Sequence, residues 1–174
     1  MNKTDIVEQL RNKLSISSGR HLYGILGTYA QLEDFAKALR EARTTDGKRF
    51  PEPLSVNDSI LHTIPDDKFR KLVENEAKRP EPTKASIEKA FVEFLKKALK
   101  EKGLLVLREM ELLFAYQIEL GALRTHATDD RKIILLLPGH RRGGRILLFH
   151  ECGETTYALP TNLIAENNMW ELGR

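Results

Sequence analysis

The sequence predicts a three-layer α/β fold, a mostly parallel sheet flanked by helices with a C-terminal β-hairpin, on the strength of three observations. Residues 104–107 and 133–137 are short runs without a polar side chain. Strands of that composition have no wet side, so they belong to a sheet covered on both faces, as parallel sheets are. Around them, apolar residues recur every three or four positions, the period of a helix that lays one face on a sheet. Finally, Pro138-Gly139 ends one apolar stretch and Gly143-Gly144 precedes the next, which makes the last two strands a hairpin or close neighbours.

The first helix falls within residues 1–18: Thr4 is the expected cap, Ile6, Val7, Leu10 and Leu14 share a face, and Ser17-Ser18-Gly19 ends it. Residues 21–27 form a buried strand. Leu32, Phe35, Ala36, Leu39 and Ala42 then give a second helix. Pro51, Pro53, Pro65 and Gly47 keep regular structure brief over 44–65, with Leu54-Ser55-Val56 as a short strand. Asp66 caps a helix presenting Phe69, Leu72, Val73 and Ala77, which Pro80 and Pro82 terminate. A longer helix follows, with a stripe of Ile87, Ala90, Phe91, Phe94, Leu95 and Ala98 opposite a lysine-rich face. After the strand at 104–107, residues 110–127 read as one helix. Pro138-Gly139 ends the strand at 133–137, residues 145–150 form its hairpin partner or close neighbour, and 155–159 add an edge strand before Pro160. Asn162 caps a terminal helix within 160–174 that ends near Trp170.

The chain has 174 residues, 41% hydrophobic and 30% charged, which fits a single α/β domain over 1–174 and excludes disordered, collagen-like and disulfide-scaffold classes. The lone Cys152 permits no internal disulfide. That suits a reducing compartment. Nowhere are there the ~20 consecutive apolar residues of a membrane span, so a cytoplasmic location is expected.

The chemistry such a fold commonly carries is missing. Gly19 and Gly24 have the spacing of a phosphate loop, but Ile25 and Leu26 stand where its lysine and hydroxyl are required. Past the strand, Gly27-Thr28-Tyr29-Ala30 has no lysine either, and Arg108 precedes Glu109 where a metal-holding acid belongs. His150-Glu151-Cys152 has ligand-type side chains without ligand spacing, although on a strand His150 and Cys152 share a face. His21, His62 and His126 stand alone, and no G-x-S-x-G elbow occurs. No catalytic residue, metal or cofactor is expected. Nucleotide binding in the crevice outside the strand ends is the enzyme alternative.

Charge distribution says more than the net +3. Residues 131–150 contain five Lys or Arg and no Asp or Glu, concentrated in His140-Arg141-Arg142-Gly143-Gly144-Arg145. Arginine forks suit carboxylate or phosphate. The sign then reverses, with Glu151, Glu154, Glu166 and Glu171 against Arg174. Neighbouring patches of opposite sign favour docking to a protein. The expected partner-binding residues are His140, Arg141, Arg142 and Arg145, with Trp170 as a candidate interface anchor whose alternative is packing back onto the sheet, since a terminal segment must bury something to stay ordered. A nucleic-acid module using Arg141, Arg142, Arg145 and Lys132 on phosphates is the alternative, and a solvated turn whose arginines merely pair with the acidic tail is the plainest one.

Leu104-Leu105-Val106-Leu107-Arg108-Glu109, Leu112-Leu113-Phe114-Ala115-Tyr116, Ile134-Leu135-Leu136-Leu137-Pro138-Gly139 and Gly143-Gly144-Arg145-Ile146-Leu147-Leu148-Phe149, followed by Tyr157, resemble the C-terminal half of BrxB. BrxB is the small non-catalytic subunit family of bacteriophage-exclusion (BREX) defence systems. Weaker similarity reaches back to Leu22–Leu26 and the helix after Tyr29. The resemblance implies a degenerate P-loop-like, Rossmann-like fold, no activity of its own, and assembly with a larger PglZ-type member of the alkaline-phosphatase superfamily. The chain departs from the family pattern in lacking acidic residues just after the first strand and in its arginine-rich tip.

Overall fold

A computed structural model of the chain describes residues 1–153 and 155–173, the side chain of Cys152 excepted. In chain order its elements begin with α1 (Lys3–Leu14), β1 (Leu22–Gly27), α2 (Tyr29–Glu41), β2 (Leu54–Ser55), α3 (Val56–Thr63), α4 (Asp66–Asn75) and α5 (Glu81–Lys102). They continue with β3 (Leu104–Arg108), α6 (Glu111–Ala115), α7 (Gly121–His126), β4 (Lys132–Arg142), β5 (Arg145–Leu148), β6 (Tyr157–Ala158) and β7 (Met169–Glu171).

All six residues of β1 are buried, so this strand needs neighbours on both edges and cover on both faces. The sheet supplies them in the order β2-β3-β4-β1-β7, parallel throughout. Tyr23 and Ile25, with Val106, Ile134, Leu136 and Trp170, pack under α1 and α2. On the opposite face, Leu22 and Leu26 join Leu105, Leu107, Ile133, Leu135 and Leu137 beneath α3, α5, α6 and α7. The expected three layers are therefore present. α4 is peripheral: Leu72 packs against this core, but none of the helix's residues is buried, and Phe69 and Val73 are 41% and 55% exposed.

Several expectations are corrected by local geometry. Asn2 caps α1 by accepting from the Asp5 amide, and Thr4 lies inside the helix. Pro65 precedes α4 and Asp66 is its first residue. Part of the proline-rich stretch forms α3, whose cap Ser55 accepts from the Asp58 amide. The helix expected over 110–127 is two, because Gln117 takes a left-handed φ of 53° between α6 and α7.

Pro138-Gly139 does not end its strand. β4 continues through both, its register partner on β1 changing from Leu26 to Gly27, that strand's last residue. Beyond this point no parallel neighbour remains on that side. Residues 139–142 instead pair antiparallel with β5, which pairs antiparallel with β6. Gly139 admits this close approach, since a Cβ there would lie 2.3 Å from the Leu147 carbonyl oxygen. The strand expected over 145–150 stops earlier, at Phe149, whose φ of 62° turns the chain into a 3₁₀ turn over His150–Cys152. The strand geometry that put His150 and Cys152 on one face does not arise, and the Cys152 side chain lies outside the described residues.

The terminal helix expected over 160–174 is replaced by a 3₁₀ turn, Glu166–Asn168, and by β7. Asn162, its expected cap, has a φ of 69°. The cause is β1's second edge: Met169, Trp170 and Glu171 pair with Gly24, Ile25 and Leu26 and supply the missing neighbour. Trp170 stacks on Tyr23 at 6.2 Å between ring centroids and donates its indole N–H to Gln9 at 2.7 Å. Truncating such a side chain leaves a cavity, and Trp170→Ala is expected to lower unfolding stability by about 3–5 kcal/mol in a denaturant titration.

His21, 3% exposed, shares a 2.7 Å hydrogen bond between Nδ1 and the Tyr23 hydroxyl, while its buried Nε2 has no partner among the described residues. Burial, then the nearby Lys132 charge, depresses its pKa below the ordinary 6.5. The unfolded chain thus binds a proton that the folded chain refuses. This contribution to stability is complete above pH 6.5 and is lost as pH falls through the folded value. His126 acts in the same direction through burial, Lys96 and Arg131. Stability measured from about pH 7.5 down to about 5.5 should fall, with a shallower slope in His21→Asn.

Candidate functional site

The basic segment folds as the β4–β5 hairpin. Gly143 and Gly144 have φ of 55° and 76°, the two positive values that a two-residue turn matched to strand twist requires. Strand alternation puts His140, Arg142 and Arg145 on one side of the hairpin and Arg141 and Ile146 on the other. Arg142 and Arg145 are direct cross-strand partners. Like charges so placed repel. No carboxylate among the described residues forms a salt bridge with either.

Arg141 behaves differently. Its guanidinium pairs with Glu166 and donates to the Met169 carbonyl at 3.3 Å, and its amide donates to Glu171 at 3.4 Å. This ties the hairpin to the outer edge of β7. The pairing of basic loop with acidic tail therefore holds for Arg141. Glu154 and Arg174, the other members of that tail, lie outside the described residues.

Between the hairpin and residues 158–169 runs a groove of about 1040 Å³. Arg141, Arg142 and Arg145 line it, joined by Arg20 from just before β1 and Arg124 from α7. Sequence reading missed the last two, which stand far apart in the chain and come together only when α7 packs beside the start of β1. Among the described residues, Glu166 is the one acid lining the groove, and Arg141 engages it.

The remaining predicted residues separate from this arrangement. The His140 ring meets His150 edge-on, 4.6 Å between centroids, and His140 is absent from the groove lining. Trp170 is 7% exposed and held between β1 and α1, so it is not a surface anchor. Lys132, assigned to phosphates in the nucleic-acid alternative, spends its ammonium on the Leu14 carbonyl at 2.5 Å. Among the described residues no three His, Cys, Asp or Glu side chains are placed to hold a metal ion, and no helix is long and apolar enough to cross a membrane.

A second location to inspect is the crevice outside the carboxyl ends of the strands, where folds of this class bind ligands. Here the chain bonds to itself. Thr28 caps α2 by accepting from the Gln31 amide, and the Gln31 side chain accepts from the Thr28 amide at 2.8 Å. Glu111 bridges the layers by accepting from the Tyr29 hydroxyl and the Asn57 amide, each at 2.9 Å. Asn57 in turn accepts from the Leu112 amide at 3.1 Å. Arg108 reaches Glu33 at 3.2 Å, so its charge is also used internally. Asking which polar residues follow each apolar strand would have found Tyr29, Asn57 and Glu111.

No family model matches the chain, and neither a curated protein nor a solved structure does.

Because Glu111 joins the segments after β1, β2 and β3, removing it leaves the Tyr29 and Asn57 donors without this acceptor. Glu111→Ala should cost about 1–3 kcal/mol in chemical denaturation.

Proposed function

We propose that this chain is a non-catalytic assembly subunit of a bacterial antiphage defence complex of the bacteriophage-exclusion type. It works in the cytoplasm and docks a larger PglZ-type protein through the tip of the β4–β5 hairpin. The observation that carries the reading is the Arg142–Arg145 cross-strand pair: two arginines set opposite each other with no salt-bridge partner among the described residues, on a hairpin that continues a core strand. Both side chains are exposed, so solvent screens that repulsion in part. A partner carboxylate between the two arginines would remove it.

The crevice supports the non-catalytic half of the reading. On this view the sheet is a P-loop-like scaffold whose ligand crevice is laced shut by Glu111, Tyr29 and Asn57, and α2, the helix after β1, uses the Thr28 and Gln31 amides in a capping box. Catalysis then belongs to the partner.

Co-expression with the products of adjacent genes tests both halves. The wild-type chain should copurify with the PglZ-type product, and Arg142→Glu with Arg145→Glu should reduce recovery at least tenfold without lowering the melting temperature. ATP or GTP with magnesium should leave that temperature unchanged. A chain that ignores every neighbour, or one that nucleotide stabilises, overturns the reading.

A further inference from the structure

The groove extends the docking surface beyond the hairpin tip, and its lining limits what can lie in it. We infer that it receives an acidic segment of a partner protein, one that interleaves Asp or Glu with aliphatic side chains. This rests on the assembly-subunit reading and adds the chemistry of the occupant, together with two arginines that the reading does not use.

Charge complementarity comes first. Five arginines border one groove, and only Arg141 has a salt-bridge partner among the described residues. Arg20, Arg124, Arg142 and Arg145 retain their charge for an occupant. Their guanidiniums are planar forks that bind carboxylates two bonds at a time. Three stretches of chain bring them together, so the cluster is a product of the fold.

The rest of the lining separates peptide from nucleic acid. Leu159, Leu163, Ile164 and Met169 form a floor to the groove that belongs to the core, none of them more than 9% exposed, and the half-buried Ile146 adds to it from the hairpin. Surfaces that hold single-stranded nucleic acid combine cations with aromatic platforms on which bases stack. Among the described lining residues none is aromatic, and none is a lysine. Aliphatic groups between guanidinium forks suit aliphatic groups between carboxylates. At about 1040 Å³ the groove also just exceeds the range of about 300–1,000 Å³ for small-molecule clefts.

Selection of a displayed library of random dodecapeptides on the folded chain tests the inference. Selected peptides should be enriched in Asp and Glu spaced by Leu, Ile or Met. Labelled copies should bind in fluorescence anisotropy, more weakly as salt rises. Arg142→Ala with Arg145→Ala, and separately Arg20→Ala with Arg124→Ala, should each weaken binding at least tenfold with the melting temperature kept. Arg142→Lys should restore part of the affinity lost in Arg142→Ala. A twenty-residue oligothymidylate should neither bind comparably nor displace the peptide. Peptides without acidic enrichment, binding indifferent to either arginine pair, or displacement by the oligonucleotide each overturn it. The two claims fail separately: copurification that survives Arg20→Ala with Arg124→Ala removes the groove and spares the assembly role, whereas peptide binding without copurification does the reverse.

Discussion

The architecture turns on the complete burial of β1. A six-residue strand with no wet face and no open edge can exist only if other parts of the chain close around it. α1 and α2 close one face, α3, α5, α6 and α7 the other, and β4 and β7 take the two edges. The recruitment of residues 169–171 to the second edge decides how the last part of the chain runs. It carries residues 159–166 alongside the hairpin and so creates the groove.

The layers were legible from the sequence because burial writes itself as composition. Residues 104–107 and 133–137 read as strands without ambiguity, and the stripe on α5 gave its inward face. What escaped depended on partners distant in the chain. Met169-Trp170-Glu171 has too few residues to show a period, and only β1's open edge makes it a strand. Pro138-Gly139 signals a stop in most settings, yet here the backbone changes neighbours at that point and continues. Gln117 and Phe149 adopt left-handed backbone conformations that their residue types do not advertise.

The site was half legible. Charge counting found the hairpin arginines and the glycines that turn it, but it could not separate Arg141, which clamps the hairpin to β7, from Arg142 and Arg145, which have no salt-bridge partner among the described residues. It could not find Arg20 and Arg124, whose neighbours in sequence give no hint of their company. Trp170 had two readings, an anchor for partners by residue type or a side chain packed back onto the sheet, and its stacking on Tyr23 with a hydrogen bond to Gln9 fits the second.

β4 belongs to two structures at once. Its first seven residues lie among the parallel strands or at their end, and its last four form an arm of the hairpin. An exposed loop would surrender conformational freedom on meeting a partner, and that loss would subtract from affinity. A tip that prolongs a core strand has already given up that freedom during folding. A partner meeting this tip would find it preorganised, and Arg142 and Arg145 are positions free to change while Gly139, Arg141 and the strand beneath keep the arm in place.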